Sequence, residues 1–535
     1  MAKQRRDELA AYTFARKRTV AAFLAPSPGG SEEGAPRPVR TVMPSLAVGV
    51  VLVIGFIAWG VIKPTAPKGW DTPGEYIIVD SDSTTRYVVL DPDPKDGKTE
   101  KVLHPVLNYA SAKLLLDKGK GSVLEVPGKE IDKSGIRHGA TIGIPYAPDR
   151  LPSKEDAEQK KSWAVCERPA PGEEGAIDRA VFVFDAEDAK SLGNSGRVDP
   201  MEALYVKDTK TGREYLVDGK GNRFLLGGES TPDDVTMEQL RSAVIGSSTT
   251  AKSQPVSQEW LSTLNPGEDI DFPTVPSAGA PTSVQGLDGV STVGQVLRAR
   301  DAQTDQFYVV LKDEVASITP FVAALLTAHD GTSPVKASTP DIIEANGGPA
   351  EKFYKDKGWP DYVPKQANSA ATAASDARTT SCSVYKGGFG TDSKPQLGAW
   401  AGTNYPKKVI SDSLSAYVSS GSGLLFKEVA GTAEGGGATY LLTDTGLRYS
   451  LPATNDSEAE GGAGAAGDAD ASGDSGGSGD SGGSSQGEAS ETDKARTRLG
   501  YEDLSNPAIV PQTWATFIPK GPTLDTTSAS QPQSQ

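Results

Sequence analysis

The sequence predicts an α+β protein with a single N-terminal transmembrane helix. An elongated extracytoplasmic body follows it, in which four degenerate β-hairpin and helix repeats flank a central domain. Three observations predict this class: one long apolar run near the N-terminus, hairpin patterns that recur along the body, and two cysteines that lie far apart between the repeats. At 535 residues the chain is too long for one core, since single cores rarely grow beyond about 250 to 300 residues.

The apolar run covers residues 42–62, reads VMPSLAVGVVLVIGFIAWGVI and contains no charged side chain. A helix of that length roughly spans the 30 Å hydrocarbon layer of a bilayer. Some forty residues precede the run, and Lys63 and Pro64 follow it where a small-residue cleavage site would stand, so we expect an uncleaved anchor and not a signal peptide. The basic residues before the run are Lys3, Arg5, Arg6, Arg16, Lys17, Arg18, Arg37 and Arg40.

This excess of basic residues predicts a cytoplasmic N-terminus, an extracytoplasmic bulk and a location in the cell membrane. The segment DELAAYTFARKRTVAAFL before the anchor has helical composition. It is predicted either to lie on anionic membrane lipid or a partner helix, or to be a plain solvated tail. The formal net charge of −16 combines +4 for residues 1–41 with −20 for residues 42–535. That charge argues against nucleic acid as a partner of the body.

The hairpin pattern is clearest in YLVDGKGNRFLL (215–226) and YLLTDTGLRYSL (440–451). Both are alternating apolar strands around an Asp- and Gly-containing turn, which is typical of a hairpin. Looser copies occur at 76–91 and 296–311, and LHPVLNYASAKLLL (103–116) is predicted to be a helix with proline near its start. The two clearest copies share four spaced positions: Tyr215 and Tyr440, Gly221 and Gly446, Arg223 and Arg448, Phe224 and Tyr449.

The two cysteines, Cys166 in SWAVCERP and Cys382 in TTSCSVYKGG, both lie in the predicted exported region. An oxidising exterior favours a disulfide between them, which would staple two strands of a central domain. Two free buried thiols are the alternative at this stage. Metal binding by two cysteines so far apart in the chain is not expected.

The sequence lacks the motifs of common enzymes. It has no Gly-x4-Gly-Lys-Ser/Thr run, and the nearest fragments, at 119–122 and 126–130, read as ordinary turns. It has no Gly-x-Ser-x-Gly elbow and no His-Glu-x-x-His pair. The histidines His104, His138 and His329 are dispersed, and we expect His104 to border the predicted helix. We therefore predict no catalytic residue, no cofactor and no metal site.

Composition and pattern together predict the domain organisation. Residues 454–493 are Gly, Ser and acidic residues with almost no apolar group, which predicts a disordered linker inside the last repeat. The predicted segments are a cytoplasmic tail (1–41), a transmembrane helix (42–62), repeat 1 (63–152), the first central segment (153–200), repeat 2 (201–283), repeat 3 (284–329), the second central segment (330–412), repeat 4 (413–525) and a disordered tail (526–535).

The order of these features resembles a known family. YTFARKR before the anchor, GEYIIVDSDSTTRYVVLD and LHPVLNYASAKLLL after it, and the C-terminal LGY, IVP and FIPKGPTLD segments are similar to EccB, a core membrane component of the type VII (ESX) secretion system of actinobacteria. The resemblance runs from about residue 10 to residue 525, apart from the acidic linker. It implies four repeats around a centre, a disulfide between Cys166 and Cys382, self-association, and assembly with EccC-, EccD- and EccE-like membrane proteins.

The resemblance implies a structural component of the secretion complex that scaffolds its extracytoplasmic side. Members of the family are often labelled ATPases, but the sequence has no P-loop, and about forty cytoplasmic residues are too few for a nucleotide-binding fold. The alternative from the residues is a membrane-anchored cell-wall-binding module that stacks hairpin aromatics on sugars, although core packing explains such aromatics more often.

Overall fold

A computed structural model describes most of the chain. The described residues are 2–24, 38–62, 66–91, 100–170, 175–194, 196–228, 233–245, 251–301, 304–370, 376–408, 416–431, 437–452, 491–504 and 506–533.

Thirteen helices lie in these described ranges. They are α1 (Ala2–Leu24), α2 (Pro38–Ile62), α3 (Tyr109–Leu115), α4 (Gly128–Lys133), α5 (Lys154–Glu158), α6 (Lys190–Asn194), α7 (Asp234–Ile245), α8 (Gln258–Ser262), α9 (Pro320–Asp330), α10 (Thr339–Asn346), α11 (Glu491–Leu499), α12 (Gln512–Ala515) and α13 (Thr526–Ser530). A short 3-10 helix covers Lys355–Lys357.

The strands of the described residues are β1 (Tyr76–Asp80), β2 (Arg86–Leu90), β3 (Val102–Val106), β4 (Ser122–Val126), β5 (Arg137–His138), β6 (Ser162–Pro169), β7 (Ile177–Phe184), β8 (Glu202–Asp208), β9 (Glu214–Asp218), β10 (Asn222–Leu225), β11 (Gln254–Val256), β12 (Asn265–Pro266), β13 (Val296–Asp301), β14 (Thr304–Val310), β15 (Val315–Ile318), β16 (Val335–Ala337), β17 (Lys365–Gln366), β18 (Thr380–Phe389), β19 (Pro395–Gly402), β20 (Ala416–Val418), β21 (Leu424–Val429), β22 (Thr439–Leu442), β23 (Arg448–Leu451) and β24 (Ala508–Pro511).

These strands form five sheets. Sheet I has the order β4-β1-β2-β3-β5, and sheet II has the order β11-β8-β9-β10-β12 with β17 also on β8. Sheet III is β15-β14-β13-β16, and sheet IV is β23-β22-β21-β24. The fifth, which we call the central sheet, is β19-β18-β6-β7-β20 and draws its strands from distant regions of the chain.

Sheets I to IV share one topology. Three consecutive strands form an antiparallel meander, a helix follows, and a later strand then pairs in parallel with the first strand of the meander. The helices in this position are α3, α7, α9 and α11. A hairpin alone is marginal in water, and the returning strand and helix supply the extra layer that it needs.

The repeated hairpins occupy two different positions in this topology. The segments 215–226 and 440–451 both form the second hairpin of their sheets, β9-β10 and β22-β23, and Gly221 and Gly446 both adopt φ of +77° in the turn. The looser copies at 76–91 and 296–311 form first hairpins instead, β1-β2 and β13-β14. The looser copies are therefore not equivalent to the clear pair. They resemble it in sequence because period-two alternation is the same in every hairpin of a meander.

The helix predicted over 103–116 is shorter than expected. Residues Val102–Val106 are strand β3, so His104 lies in a strand and does not border the helix. Helix α3 begins at Tyr109, where the Asn108 side chain accepts a hydrogen bond from the Ser111 amide at 3.0 Å. An asparagine cap defines the start here, and the proline that suggested an earlier start belongs to the strand.

Several predicted boundaries differ from the structure. Strand β16 pairs with β13 in sheet III, so the border predicted at 330 falls inside that unit. Strand β20 pairs with β7 of the central sheet, although its residues fall in the predicted repeat 4. The tail predicted to be disordered contains α13, whose Ala529 is fully buried. Asp525 caps this helix, since its side chain accepts a hydrogen bond from the Ser528 amide.

Two predicted segments extend beyond the described residues. The acidic linker lies outside them as far as residue 490, and its last three residues belong to α11. The predicted transmembrane segment falls on α2, of which the side chains of 58–62 lie outside the described residues. Across the described ranges, none of the helices combines the length and the apolar character needed for a membrane crossing.

The core is a series of clusters that join neighbouring units. One cluster joins sheet I to sheet IV through Leu114 and Leu441. The largest joins the central sheet to sheets II and IV and includes Trp163. A third joins sheet II to sheet III through Leu240 and Leu325 of α7 and α9. The units therefore contact one another in the order I, IV, central, II, III.

A glycine packed on an aromatic ring recurs in the units of sheets II and IV. A Cβ on Gly521 would lie 2.5 Å from the Tyr449 ring, and a Cβ on Gly267 would lie 2.5 Å from Phe224. We expect Gly521→Ala to lower the free energy of unfolding by about 1 to 3 kcal/mol, because overpacking displaces a buried ring. Urea unfolding measures this, and Gly348→Ala, whose Cβ meets open space, is the control that should change little.

Candidate functional site

The disulfide lies at the middle of the central sheet. Cys166 in β6 is directly opposite Cys382 in the antiparallel strand β18, with a Cα–Cα distance of 4.0 Å and a bond between the sulfurs. Both residues are fully buried. The structure confirms the predicted disulfide and excludes the alternative of two free thiols.

The opposite face of the same strands carries an ion pair with a fully buried carboxylate and an arginine side chain that is 24% exposed. Side chains alternate along a strand, so Glu167 points away from the disulfide. Its carboxylate is fully buried and accepts hydrogen bonds from Arg179 Nε at 2.8 Å and from Ser257 Oγ at 2.7 Å. The Ser257 amide donates to the second carboxylate oxygen at 2.8 Å. The Arg179 guanidinium also lies over the Phe517 ring, 4.9 Å from its centroid.

These four residues, Glu167, Arg179, Ser257 and Phe517, we call the junction cluster. Ser257 is the N-cap of α8 in the sheet II unit, and Phe517 follows α12 in the sheet IV unit. One ion pair of the central sheet, with a buried carboxylate, therefore contacts both neighbouring units. Buried charges need such complete hydrogen bonding, because an unpaired one is costly to desolvate.

A second polar network lies beside the junction cluster. The Gln254 side chain donates to the Glu167 carbonyl at 3.2 Å and accepts from Ser381 Oγ at 2.8 Å and from Asn368 Nδ2 at 3.0 Å. Asn368 in turn bonds both backbone groups of Tyr205. Each side chain is buried and partnered, which is the arrangement that fixes the relative position of packed elements.

Two tryptophans extend these contacts. Trp260 Nε1 donates to the carbonyl of Val165 in the central sheet at 2.9 Å. Trp514 Nε1 donates to the carbonyl of Thr263 at 3.2 Å and so links the sheet IV unit to the sheet II unit. Both indoles are fully buried. Sequence reasoning missed these residues and the polar network, because their partners lie far away in the chain and no local pattern marks them.

The residues considered for other chemistry are dispersed. His104 Nδ1 lies 2.9 Å from the Ala140 carbonyl, His138 contacts Tyr87, and His329 contacts Phe272. Within the described ranges no three His, Cys, Asp or Glu side chains lie together in a way that would hold a metal ion.

Three of the four hairpin aromatics that motivated the sugar-binding alternative are core residues, and the fourth, Tyr215, is partly buried against the largest cluster. Phe224 and Tyr449 are 1% exposed, and Tyr440 is 6% exposed. Tyr440 stacks on Phe426 and lies under the Arg448 guanidinium. Because their faces are covered by protein, these rings do not form a surface for stacking on sugars.

The carboxylate of Asp188 ties the segment after β7 to β20. It accepts hydrogen bonds from Ser419 Oγ at 2.7 Å and from the Tyr417 hydroxyl at 3.0 Å, and it pairs with Lys407 at 2.7 Å. Burial raises the pKa of Asp188, but the bonds from Lys407, Ser419 and Tyr417 outweigh burial and hold the pKa below its usual value.

A pH-dependent stability follows from Asp188. Because its folded-state pKa is lowered, its stabilisation is complete above the unfolded-state pKa of about 3.9 and is lost as the pH falls through the folded-state pKa. We expect Asp188→Asn to lower the free energy of unfolding by about 1 kcal/mol at pH 7. The difference between the variant and wild type should shrink as the pH falls through the folded-state pKa of Asp188. Urea unfolding at several pH values tests this. Glu187→Gln, at an exposed surface pair beside it, should show almost no difference.

The fold and the junction define a class of protein: an α+β protein of several similar units, held around a disulfide-linked centre. Comparison with known proteins agrees with this class. The chain matches, over residues 2–534, the family described as type VII secretion system ESX-1, transport TM domain B, or EccB. The chain therefore belongs to the EccB family.

Individual relatives are more distant. The chain is 29% identical over 311 residues to the ESX-1 secretion system ATPase EccB1 of Mycolicibacterium smegmatis (strain MKD8), and the match covers 57% of each protein. Thus the chain spans little more than half the length of that relative.

Two solved structures share the fold. A chain of an intact ESX-5 inner membrane complex matches with a TM-score of 0.56 and 19% identity, covering 99% of this chain and 95% of the other. A chain of an EccB3 dimer from the ESX-3 core complex matches with a TM-score of 0.56 and 20% identity, covering 85% and 99%.

Proposed function

We propose that the protein is a structural component of a type VII secretion membrane complex and scaffolds its extracytoplasmic side. The observation that carries the proposal is the junction: disulfide, ion pair and polar network hold the neighbouring units at fixed positions around one sheet. A body built in this way presents fixed surfaces to neighbouring proteins. Membership of the EccB family supports the role, and the solved relatives that share the fold come from ESX complexes.

The anchoring is also a proposal. The segment 42–62 crosses the cell membrane once, with the basic tail in the cytoplasm and the body outside. The disulfide supports an oxidising location for the body. A reporter enzyme that is active only outside the cytoplasm should be active when it is fused after residue 533. Activity of a cytosol-dependent reporter at this position would contradict the topology.

The partners we propose are membrane proteins of the EccC, EccD and EccE type and further copies of this chain. One solved relative is an EccB3 dimer, which supports self-association. The shared four-strand topology of sheets I to IV supports their origin as copies of one repeat. Membrane lipid contacts the anchor and the basic tail.

Co-purification tests this function. The tagged full-length protein, extracted in mild detergent, should migrate on a native gel as a multimeric complex, and mass spectrometry should identify the other ESX membrane proteins in it. A protein that migrates as a monomer without these partners, and that instead binds isolated cell wall, would contradict the proposal and favour the cell-wall-binding alternative.

A role without catalysis belongs to the proposal, although relatives carry ATPase in their names. The sequence has no P-loop. The polar side chains of the junction cluster form hydrogen bonds with one another and are not arranged to bind a nucleotide. Full-length protein freed of all partners should therefore hydrolyse no ATP above the rate of the detergent buffer. Turnover that follows the protein through every purification step would overturn this aspect of the proposal.

A further inference from the structure

One face of sheet I is turned away from the rest of the body. Sheet I lies at one end of the series of units, and it contacts sheet IV through α3. Helix α3 packs on the face of the sheet that carries Ile77 and Val88. The opposite face has a cluster of its own around Ile78 and Val89, and the described residues of that cluster all belong to the sheet I unit. We call this opposite face the outer face.

Three aromatic side chains cover part of the outer face. Tyr76 in β1, Tyr87 in β2 and Trp70 from the segment before β1 pack against its cluster and are only partly buried. Tyr87 lies opposite Ile78 in the strand register, and its ring meets the ring of His138 edge-on, with centroids 6.1 Å apart. Partly exposed Trp and Tyr rings combine an apolar body with a polar tip, and they are enriched where proteins meet the headgroup layer of a bilayer.

Trp70 differs from the other described tryptophans in the surroundings of its indole N–H. Three of the others donate this N–H to backbone carbonyls: Trp260, Trp359 and Trp514. Two more have the N–H enclosed in the core: Trp163 and Trp400. Within the part of the chain that the structure describes, the Trp70 indole N–H has no hydrogen-bond partner and is not enclosed. It is therefore available to an acceptor outside the chain.

The length of the chain after α2 keeps Trp70 close to the proposed anchor. Trp70 follows Ile62, the last residue of α2, by eight positions. A chain of that length spans at most about 28 Å when it is fully extended. In the proposed topology Ile62 marks the outer end of the membrane crossing, so Trp70 lies within reach of the headgroup layer.

The charge distribution also sets the sheet I unit apart. Residues 63–152 contain 13 Lys and Arg and 13 Asp and Glu, so they have no net charge, and the formal −20 of the body lies in residues 153–535. A membrane that contains anionic lipid repels the acidic units but not this neutral one. Lys68, two positions before Trp70, is exposed and can pair with a lipid phosphate.

We infer that the outer face of sheet I docks on the headgroup layer of the membrane. This inference rests on the proposed anchoring and adds a second membrane contact, made by the body itself. The rings of Trp70, Tyr76 and Tyr87 lie at the level of the headgroups, the Trp70 N–H donates to a lipid oxygen, and Lys68 lies beside the phosphates. Docking of the end unit limits the tilt of the whole body, because the other units are packed in series on sheet I.

Fluorescence quenching by brominated lipid tests the docking. Full-length protein carrying Trp59→Phe is placed in nanodiscs of phosphatidylglycerol and of phosphatidylcholine brominated near the headgroup. The substitution removes the tryptophan of the predicted anchor and leaves six of the seven tryptophans. We expect brominated lipid to lower the emission by at most the share of one tryptophan in six. Adding Trp70→Phe should abolish this loss.

The matched control is Trp359→Phe in the same Trp59→Phe background. Trp359 is a partly buried tryptophan between sheets II and III, at the other end of the series of units, so the quenching should persist in this variant. Equal quenching with and without Trp70 would overturn the docking. A Trp70 that is shielded both from brominated lipid and from aqueous acrylamide would also overturn it, because a protein partner would then cover the outer face.

Alkaline extraction of membranes separates this inference from the proposed anchoring. We expect the full-length protein to stay with the membrane at high pH, as an anchored protein does. Release by alkali would contradict the anchor and the docking together. Protein that stays in the membrane but whose Trp70 is not quenched would contradict the docking alone.

Discussion

Replacing Cys166 and Cys382 together with alanine is expected to lower the free energy of unfolding by about 4 to 5 kcal/mol. The bond closes a loop with a sequence separation of 216, so its loss frees a large stretch of the unfolded chain. Denaturation in urea, followed by tryptophan fluorescence, measures the loss as a lower midpoint. We expect the first transition to be that of the central sheet and the units packed on it.

Reduction of the wild-type protein is the control for this prediction. Both cysteines are fully buried, so a thiol reductant should not reduce the disulfide of the folded protein. Wild type treated with reductant before urea is added, and then freed of it, should keep its unfolding midpoint. With denaturant and reductant together, wild type should unfold at the midpoint of the double variant. Equal midpoints for oxidised wild type and the double variant would contradict the structural role of the bond.

Replacing Arg179 with alanine is expected to lower the free energy of unfolding by about 3 to 5 kcal/mol, because it leaves the buried Glu167 carboxylate without its cation. The neighbouring pair provides a matched control. Arg168 faces Asp178 at 3.3 Å on the same two strands, but the side chains are 31% and 40% exposed. Arg168→Ala should therefore cost about 1 kcal/mol or less. Urea unfolding of the two variants gives the comparison.

A second substitution separates charge from packing. Adding Glu167→Gln to the Arg179→Ala variant removes the uncompensated charge and keeps an oxygen for Ser257, so it should recover some of the lost stability. Equal losses in Arg179→Ala and Arg168→Ala, or no recovery in the double variant, would show that the ion pair does not hold the junction together.

The sequence predicts correctly those elements that depend on neighbouring residues in the chain, such as the hairpin turns and the strands beside them. The clear hairpin pair at 215–226 and 440–451 was identified by turn glycines and alternation, and both segments are second hairpins in the structure. The cysteines identified two strands of the central sheet. The sequence predicts too long a helix at 103–116, because apolar spacing continues through β3 into α3 and only the Asn108 cap separates them.

Long-range contacts account for what the sequence did not reveal. Gln254, Asn368 and Ser381 are ordinary polar residues whose buried positions depend on three distant segments. Strand β20 is only three residues long and joins the central sheet through pairing with β7, which no local pattern encodes. The buried polar network and the pairing of β20 both depend on how the units pack against one another.

We propose that this protein holds an ESX membrane complex together through surfaces that its junction keeps in place. The most direct test compares the size of the native complex in membranes of a deletion strain and of the same strain carrying wild type or Arg179→Ala. We expect a full-size complex with wild type, none in the deletion strain, and a reduced amount with Arg179→Ala. A full-size, secretion-competent complex in the deletion strain would contradict it.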